Sequence, residues 1–413
     1  MNRFLFKYPT RGRPDWFKQT LENYFNKLSG KHQYQFIIAM DTDDASMNNQ
    51  EMRNWLALKA GNVLTYYYSN HRTKIEACNS GIPDEGWDIL VLVSDDMVPV
   101  EKGFDDIIAQ DMQREFPNLD GALHYPDGLA GQKLLTYSVV GKNLYEMIGF
   151  VYWPAYRGTW CDNDFMDTVI LWGKYWYSPR NIVRHFWQKN GVDEVYRKGE
   201  STYQDDRKIY EWRKAKGFPV SFSQNDEDWI IRRHFKDVCH GRFLDIGAGD
   251  GVTFSNTKIL YDMGWNGVAV APSPNFMSAL KENFSCQRVK YVQSALTDKD
   301  GPVEMYHTPD FTSTLSESHR AKWENITKYT KISVEGISWS TLLNQHGNDF
   351  DFVNIDTEGT NIEILKNMPN IYKEKVKMFC VEFDNQITAV RDLLCPYGYK
   401  VIHTTGENVI LSK

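Results

Sequence analysis

Three apolar runs in the first half of the sequence each end in residues able to do chemistry. Phe4 to Tyr8 runs into Thr10-Arg11-Gly12-Arg13-Pro14, Phe36 to Met40 into Asp41-Thr42-Asp43-Asp44, and Asp88 to Val93 into Ser94-Asp95-Asp96. Carboxylates gathered on adjacent strand ends supply the oxygen ligands that Mg2+ or Mn2+ prefers, and such an ion neutralises a departing phosphate. An Asp pair after a strand is commonly only a helix cap or turn, and that reading suits Asp43 and Asp44. Asp95 and Asp96 carry more weight, because a strand as apolar as Ile89 to Val93 is central and its end belongs to a cleft. In the second half, Phe243-Leu244-Asp245-Ile246 leads into Gly247-Ala248-Gly249-Asp250-Gly251, a strand followed by a G-x-G-x-G turn. Glycines there let the backbone approach a ligand, and Asp245 can accept a hydrogen bond from it.

These residues need a scaffold, and the pattern around them is α/β. Strand signals alternate with helix signals: a helix after Pro14 presents Phe17, Leu21, Tyr24, Phe25 and Leu28 on one face and closes at Gly30, and another lies around Arg72 to Ser80. Apolar strands with helical crossovers predict a buried, largely parallel sheet. Ser201 and Gln204 make a capping box for a helix ending near Lys216, before Gly217 and Pro219. The pattern then restarts, with a helix at Asp226 to Phe235 and strands at Arg242 to Ile246, Gly267 to Ala271, Lys290 to Gln293, Phe350 to Ile355 and Met378 to Phe383. A closing pair follows at Tyr399 to His403 and Val409 to Leu411. The 413 residues exceed what one core usually holds. Two domains are expected, 1–220 and 226–413.

Composition narrows the class. A net charge of −7 lacks the basic excess of a nucleic-acid-binding surface. The longest apolar stretch is too short to span a bilayer and the start has no apolar leader, so a soluble, cytoplasmic protein is expected. Six scattered cysteines without C-x-x-C pairs read as reduced thiols.

Two family resemblances add to this. Over about residues 1–190, Arg72 to Gly81 followed by Asp88 to Asp96 resembles the inverting GT-A glycosyltransferases of the family-two type. The resemblance implies a nucleotide diphosphate-sugar donor, with Asp96 and its neighbour Asp95 at the D-x-D position and Ser94 in place of the first Asp. It places Asp41 and Asp43 toward the nucleoside, Arg11 or Lys74 toward the diphosphate with Thr10 also among the donor contacts, and His185, of Val183-Arg184-His185-Phe186-Trp187, where a late His completes the metal or phosphate contacts beside Asp96. The base that deprotonates the acceptor would come from Trp160-Cys161-Asp162-Asn163-Asp164, with Asp164 preferred to Asp162. A lone His such as His185 is otherwise more often structural.

Over about residues 226–413 the sequence resembles the FkbM-type methyltransferases. The glycine turn, Ala271-Pro272-Ser273-Pro274, Ser294-Ala295-Leu296-Thr297-Asp298 and Asn354-Ile355-Asp356-Thr357-Glu358-Gly359 follow in the family's order. The resemblance implies S-adenosylmethionine on the loop of Gly247, Gly249 and Gly251, Ser294 and Ala295 at the adenine, and Asp356 and Glu358 near the reacting hydroxyl, Asp356 as its base. It also marks two departures: Ala271 stands where the family has the Glu that holds the cofactor ribose, and Asn354 where many relatives have Lys. Together the halves predict a bifunctional enzyme that transfers a sugar to an acceptor, a glycan of an envelope or capsule by family analogy, and O-methylates a sugar hydroxyl. The rivals are a viral enzyme glycosylating a hydroxylated DNA base, and a non-catalytic glycan- or nucleotide-binding protein.

Overall fold

Arg3–Pro9 (β1) buries Phe4, Leu5, Phe6, Lys7 and Tyr8 in succession, and only a strand covered on both faces does that. Even Lys7 is enclosed, its ammonium donating to the Tyr67 hydroxyl at 2.9 Å. The computed structural model describes residues 1–59, 61, 63–186, 197, 200–238, 240–285 and 287–413. Trp187, Cys239 and Cys286 lie outside them; the remaining four cysteines, Cys78, Cys161, Cys380 and Cys395, are free thiols. The chain divides into two compact units, Met1–Val220 and Ser221–Lys413.

In the first unit β1 is followed by Gln33–Asp41 (β2), Leu64–Ser69 (β3), Ile89–Leu92 (β4), Met97–Pro99 (β5), Ala122–His124 (β6), Val139–Gly141 (β7), Tyr175–Tyr177 (β8) and Val183–His185 (β9). Seven of these form one sheet in the order β3-β2-β1-β4-β7-β6-β8, and β5 pairs with β9 in a separate ribbon. The first four strands of that order run parallel. From there the sheet is mixed, since β7 lies antiparallel to β4 and to β6. The helix Pro14–Lys27 starts with Pro at its first turn and Asp15 beside it, and buries Phe17, Leu21 and Tyr24 on the sheet. The predicted capping box at Ser201 does not form: the helix is Tyr203–Ala215, Thr202 precedes it without a side-chain cap, and the Thr202 hydroxyl donates to Asp206 at 3.0 Å instead.

The second unit contains Arg242–Ile246 (β10), Asn266–Val270 (β11), Val289–Val292 (β12), Ala295–Thr297 (β13), Gly301–His307 (β14), Thr330–Ser338 (β15), Phe352–Ile355 (β16), Met378–Glu382 (β17), Lys400–Thr404 (β18) and Asn408–Ser412 (β19). Its sheet has the order β12-β11-β10-β16-β17-β19-β18, parallel as far as β17 and closed by the antiparallel pair. The strand order reverses direction between β10 and β16, the switch point at which ligands enter doubly wound sheets. A second, three-stranded sheet, β13-β15-β14, was not expected from the sequence. No helix among the described residues is long and apolar enough to cross a membrane.

Candidate functional sites

The switch point opens into a cleft of about 650 Å³. Gly247 and Gly249 of the turn after β10, Ala271 after β11, Ser294 and Ala295 after β12, and Asp356 and Glu358 after β16 all line it. Seven side chains or backbones singled out from sequence therefore meet in one place. They arrive there because each follows a parallel strand at its carboxyl end.

Two of the predicted cofactor contacts do not face the cleft. Asp245 is buried beneath the loop, where its carboxylate accepts from the Thr257 hydroxyl at 2.5 Å and the Asn354 amide at 2.9 Å. Burial pushes its pKa up, and its task is to hold the loop on β16. Asn354 in turn accepts from Asn256 at 3.0 Å, so its neutral amide is matched to both neighbours. Gly251 faces the helix Pro274–Asn283, and a Cβ there would press on Leu280 at 2.9 Å.

The cleft holds further residues that the sequence did not single out. Phe276 and Phe311 stack at 4.5 Å between ring centroids, and the Phe311 ring lies over Gly249. Ser273, almost fully buried, carries a hydroxyl with no hydrogen-bond partner in the wall of the cleft. Its position, at the start of the helix after β11, is two residues from Ala271. Apolar stacking surfaces, a glycine floor and an unsatisfied hydroxyl fit an adenosine: rings for the base, backbone for close approach, a hydroxyl for the ribose. No carboxylate follows β11 to hold that ribose.

Asp356 is not arranged as the base expected of it. It is half-buried in the wall of the cleft and hydrogen-bonded to Glu382; desolvation first, then the charges of Glu382 and Glu358, raise its pKa well above its ordinary value. Glu382 is itself pushed up to about 7 by burial and by Glu358 and Asp384. Two carboxyls in contact share a proton, because both cannot ionise side by side. A carboxyl that shares a proton with its neighbour is a poorer acceptor for another.

In the first unit the predicted residues fall into separate groups. Arg11 is clamped by its own neighbours, donating to Asp41 at 2.6 Å and to both oxygens of Asp43 at 2.6 and 3.0 Å. The other oxygen of Asp41 meets His71 Nδ1 at 2.7 Å, and His71 Nε2 meets the Ser80 hydroxyl at 3.0 Å. Thr10 donates to Asp95 at 3.2 Å, and Thr20 donates to the Asp95 carbonyl at 2.6 Å. Asp95 is buried and its pKa is raised to about 7 by desolvation. This carboxyl points into the fold, which removes it from the donor-facing role expected of it.

Asp96 and His185 do come together, because Met97 at the start of β5 pairs with His185 at the end of β9. His185 Nε2 lies 3.8 Å from Asp96, and its Nδ1 lies 3.1 Å from Asp127. Burial would lower the His185 pKa, but the carboxylates of Asp127 and Asp96 outweigh it and bring it to about 9. Asp96 also takes the Ser94 hydroxyl at 2.7 Å and Arg13 at 3.5 Å. Against the cost of burial, these groups hold its pKa well below the usual range. Asp127 was not foreseen; Tyr125-Pro126-Asp127-Gly128 reads as a turn, and its carboxylate indeed accepts the amides of Leu129 and Ala130, both at 2.8 Å. Among the described residues no group of three or more His, Cys, Asp or Glu side chains is arranged to hold a metal ion. Asp96 and His185 alone fit a cation only where a diphosphate completes its shell, the usual arrangement for Mg2+ on a nucleotide.

The preference for Asp164 as base is reversed by its surroundings. Asp162 and Asp164 stand on the first turn of the helix Cys161–Leu171, about 200° apart around its axis, so they face opposite ways. Asp164 is buried and accepts from Arg213 Nε at 2.6 Å and from the Tyr156 hydroxyl at 2.8 Å. Asp162 instead accepts from the Tyr152 hydroxyl and shares its surroundings with Lys74, His185 and Asp127. Lys74, at the start of the helix Lys74–Asn79, is exposed; against the lowering effect of desolvation, the carboxylate of Asp162 raises its pKa.

No curated protein matches the sequence. The mannosyltransferase PcManGT from Pyrobaculum calidifontis, solved with GDP-Man and Mn2+, is 13% identical with a TM-score of 0.36, covering 46% of this chain and 58% of that one. S. aureus TarS is 10% identical, also with a TM-score of 0.36, covering 57% of this chain and 44% of that one. The chain thus spans less than two thirds of either. Residues 245–401, within the C-terminal unit, match the family model described as the methyltransferase FkbM domain.

Proposed function

We propose that the C-terminal unit binds S-adenosylmethionine in the cleft after β10, β11, β12 and β16 and methylates a hydroxyl, most economically on a sugar. The observation that carries this reading is the convergence of the glycine turn, Ser294, Ala295 and Glu358 on one cleft. The cofactor supplies an already activated methyl group, so the protein has to align the acceptor and receive one proton. Gly247 and Gly249 would let the loop approach the cofactor, the stacked pair of Phe276 and Phe311 would offer an apolar face to its base, and Glu358 would face the acceptor. Calorimetric titration of the full-length chain with S-adenosylmethionine tests the reading. Saturable binding is expected, and no heat up to millimolar cofactor would remove it.

Ala271 makes that binding weaker than it need be. A carboxylate at this position would accept both ribose hydroxyls, and charge-assisted hydrogen bonds contribute about 1.5–3 kcal/mol. Ala271→Glu is expected to tighten binding roughly ten- to hundredfold in the same titration. Equal affinities would mean that Ser273 already fills the role.

For the N-terminal unit we propose glycosyl transfer from a nucleotide diphosphate-sugar. Asp96 with His185 favours this reading, lying at the sheet end where Arg13 and Lys74 add positive charge. There Asp96 and His185 would hold Mn2+ or Mg2+ against the diphosphate, and Asp162 would take the acceptor proton. Screening nucleotide-sugars for thermal stabilisation with manganese present, in the natural chain and in Asp96→Asn, tests it. Stabilisation that needs both donor and metal and disappears in the variant is expected; the same shift in the variant would discard the metal role of Asp96.

A further inference from the structure

Residues 308–330 show neither helical nor strand periodicity, yet they bury a histidine. His319, in the helix Glu317–Trp323, is 5% exposed, and the Ser316 side chain caps that helix by accepting the His319 amide at 3.2 Å. Its Nε2 lies 2.7 Å from Glu358 Oε2, and its Nδ1 lies 4.0 Å from Asp384. The Nε2 atom is buried and makes no aligned hydrogen bond. Nε2 thus lies within hydrogen-bond length of a carboxylate oxygen without being aligned on it, and a small turn of the ring or the carboxylate brings the two into line. Such a gap has room for one proton.

The backbone around Glu358 is shaped to keep this contact. Glu358 has φ +56°, a conformation that side-chain-bearing residues rarely adopt, and its carbonyl accepts the Thr314 hydroxyl at 2.5 Å. Gly359 follows at φ +96°, where a Cβ would lie 2.8 Å from the Cβ of His319. Strained backbone persists when its surroundings fix it, and it gathers at functional sites. The Glu358 carboxylate lines the cleft and keeps about a quarter of its side chain exposed, at 26%.

We propose that Glu358 and His319 form a proton-accepting dyad for the hydroxyl being methylated, with His319 a positioning residue and proton store behind the Glu358 carboxylate. This rests on the methyl-transfer reading above. As the acceptor oxygen bonds to the methyl carbon, its O–H proton passes to Glu358 and from there to His319 Nε2. The carbon–sulfur bond breaks with its electron pair left on sulfur, and the sulfonium becomes a neutral thioether. Charge and atoms balance, with the proton lodged on the imidazole. Asn361 holds Glu382 at 2.6 Å and Asp384 at 2.9 Å on the far side of the cluster.

The test uses the full-length chain. Transfer of a radiolabelled methyl from S-adenosylmethionine to a panel of mono- and oligosaccharides should fall a hundredfold or more in His319→Ala, while calorimetric cofactor affinity stays within about twofold. His319→Gln, which keeps a hydrogen-bonding side chain beside Glu358, should regain part of the rate and guards against a folding defect in the alanine variant. A second readout needs no acceptor: in spectra of chain labelled with 15N in its histidine rings, the His319 Nε2 signal, assigned by its loss in His319→Gln, should move in Glu358→Gln while the other nine histidines stay. A stationary signal, or wild-type turnover in His319→Ala, overturns the dyad and leaves methyl transfer standing. Absence of cofactor binding to the natural chain sinks the methyl-transfer reading instead, and the ring spectra still decide whether the two residues are coupled.

Discussion

Arg213→Leu is expected to destabilise the N-terminal unit by about 3–5 kcal/mol, because it strands a buried charge. Arg213 is 1% exposed; its guanidinium lies over the Trp153 ring at 3.8 Å from the centroid and pairs with Asp164, itself 3% exposed. Removing the arginine leaves the Asp164 carboxylate with the Tyr156 hydroxyl and no countercharge. Asp162→Asn should behave in the opposite way, unfolding near the natural temperature while losing a hundred- to ten-thousandfold in glycosyl transfer, the usual worth of a general base. Urea unfolding followed by tryptophan fluorescence, together with turnover, separates the two. Should Arg213→Leu unfold like the natural chain while Asp164→Asn alone removes turnover, Asp164 returns as the base and the ion pair becomes incidental.

That contrast shows what the sequence can and cannot reveal. Residues following apolar parallel strands were legible, since a run such as Ile89 to Val93 fixes both the strand and the position of its end; Asp96 was singled out in this way, whereas Ser294 and Glu358 rested on the resemblance to the FkbM-type methyltransferases. Which of two carboxylates is free was not legible, because it depends on partners distant in the chain: Asp164 is claimed by Arg213, 49 residues on, and Asp95 by Thr10, 85 residues back. His319 and Asp127 escaped for a related reason. Both sit in segments without hydrophobic period, so only their tertiary contacts distinguish them from ordinary polar residues. The sheet of β13, β14 and β15 was missed although Lys331 to Glu335 alternates polar and apolar residues, exposed and half-covered in turn, which is the period-2 signal of a half-buried strand.

The glycine turn after β10 offers the sharpest test of the second unit, because its glycines are required for different reasons. Gly247 has φ +99°, and a Cβ there would fall 1.6 Å from the carbonyl oxygen of Asp356 and 2.6 Å from its carbonyl carbon. Both are backbone atoms of the neighbouring central strand end, which cannot swing aside. Relief requires parting β10 from β16 at the point where the Asp356 amide bonds the Ile246 carbonyl at 2.9 Å. Overpacking against yielding side chains costs about 1–3 kcal/mol; against backbone, with a left-handed φ as well, Gly247→Ala should exceed that. At about 2–4 °C per kcal/mol for a unit of this size, its thermal transition should drop by roughly 10 °C, with cofactor binding lost. Gly249→Ala differs in kind: its Cβ would meet the Phe311 ring edge at 2.8 Å, a side chain that can rotate away. It should fold with a smaller loss, while disturbing the ring expected to cover the cofactor. Gly247→Ala binding S-adenosylmethionine as tightly as the natural chain would show that the close approach of the two strand ends is dispensable, and with it the account of why the cleft has its shape.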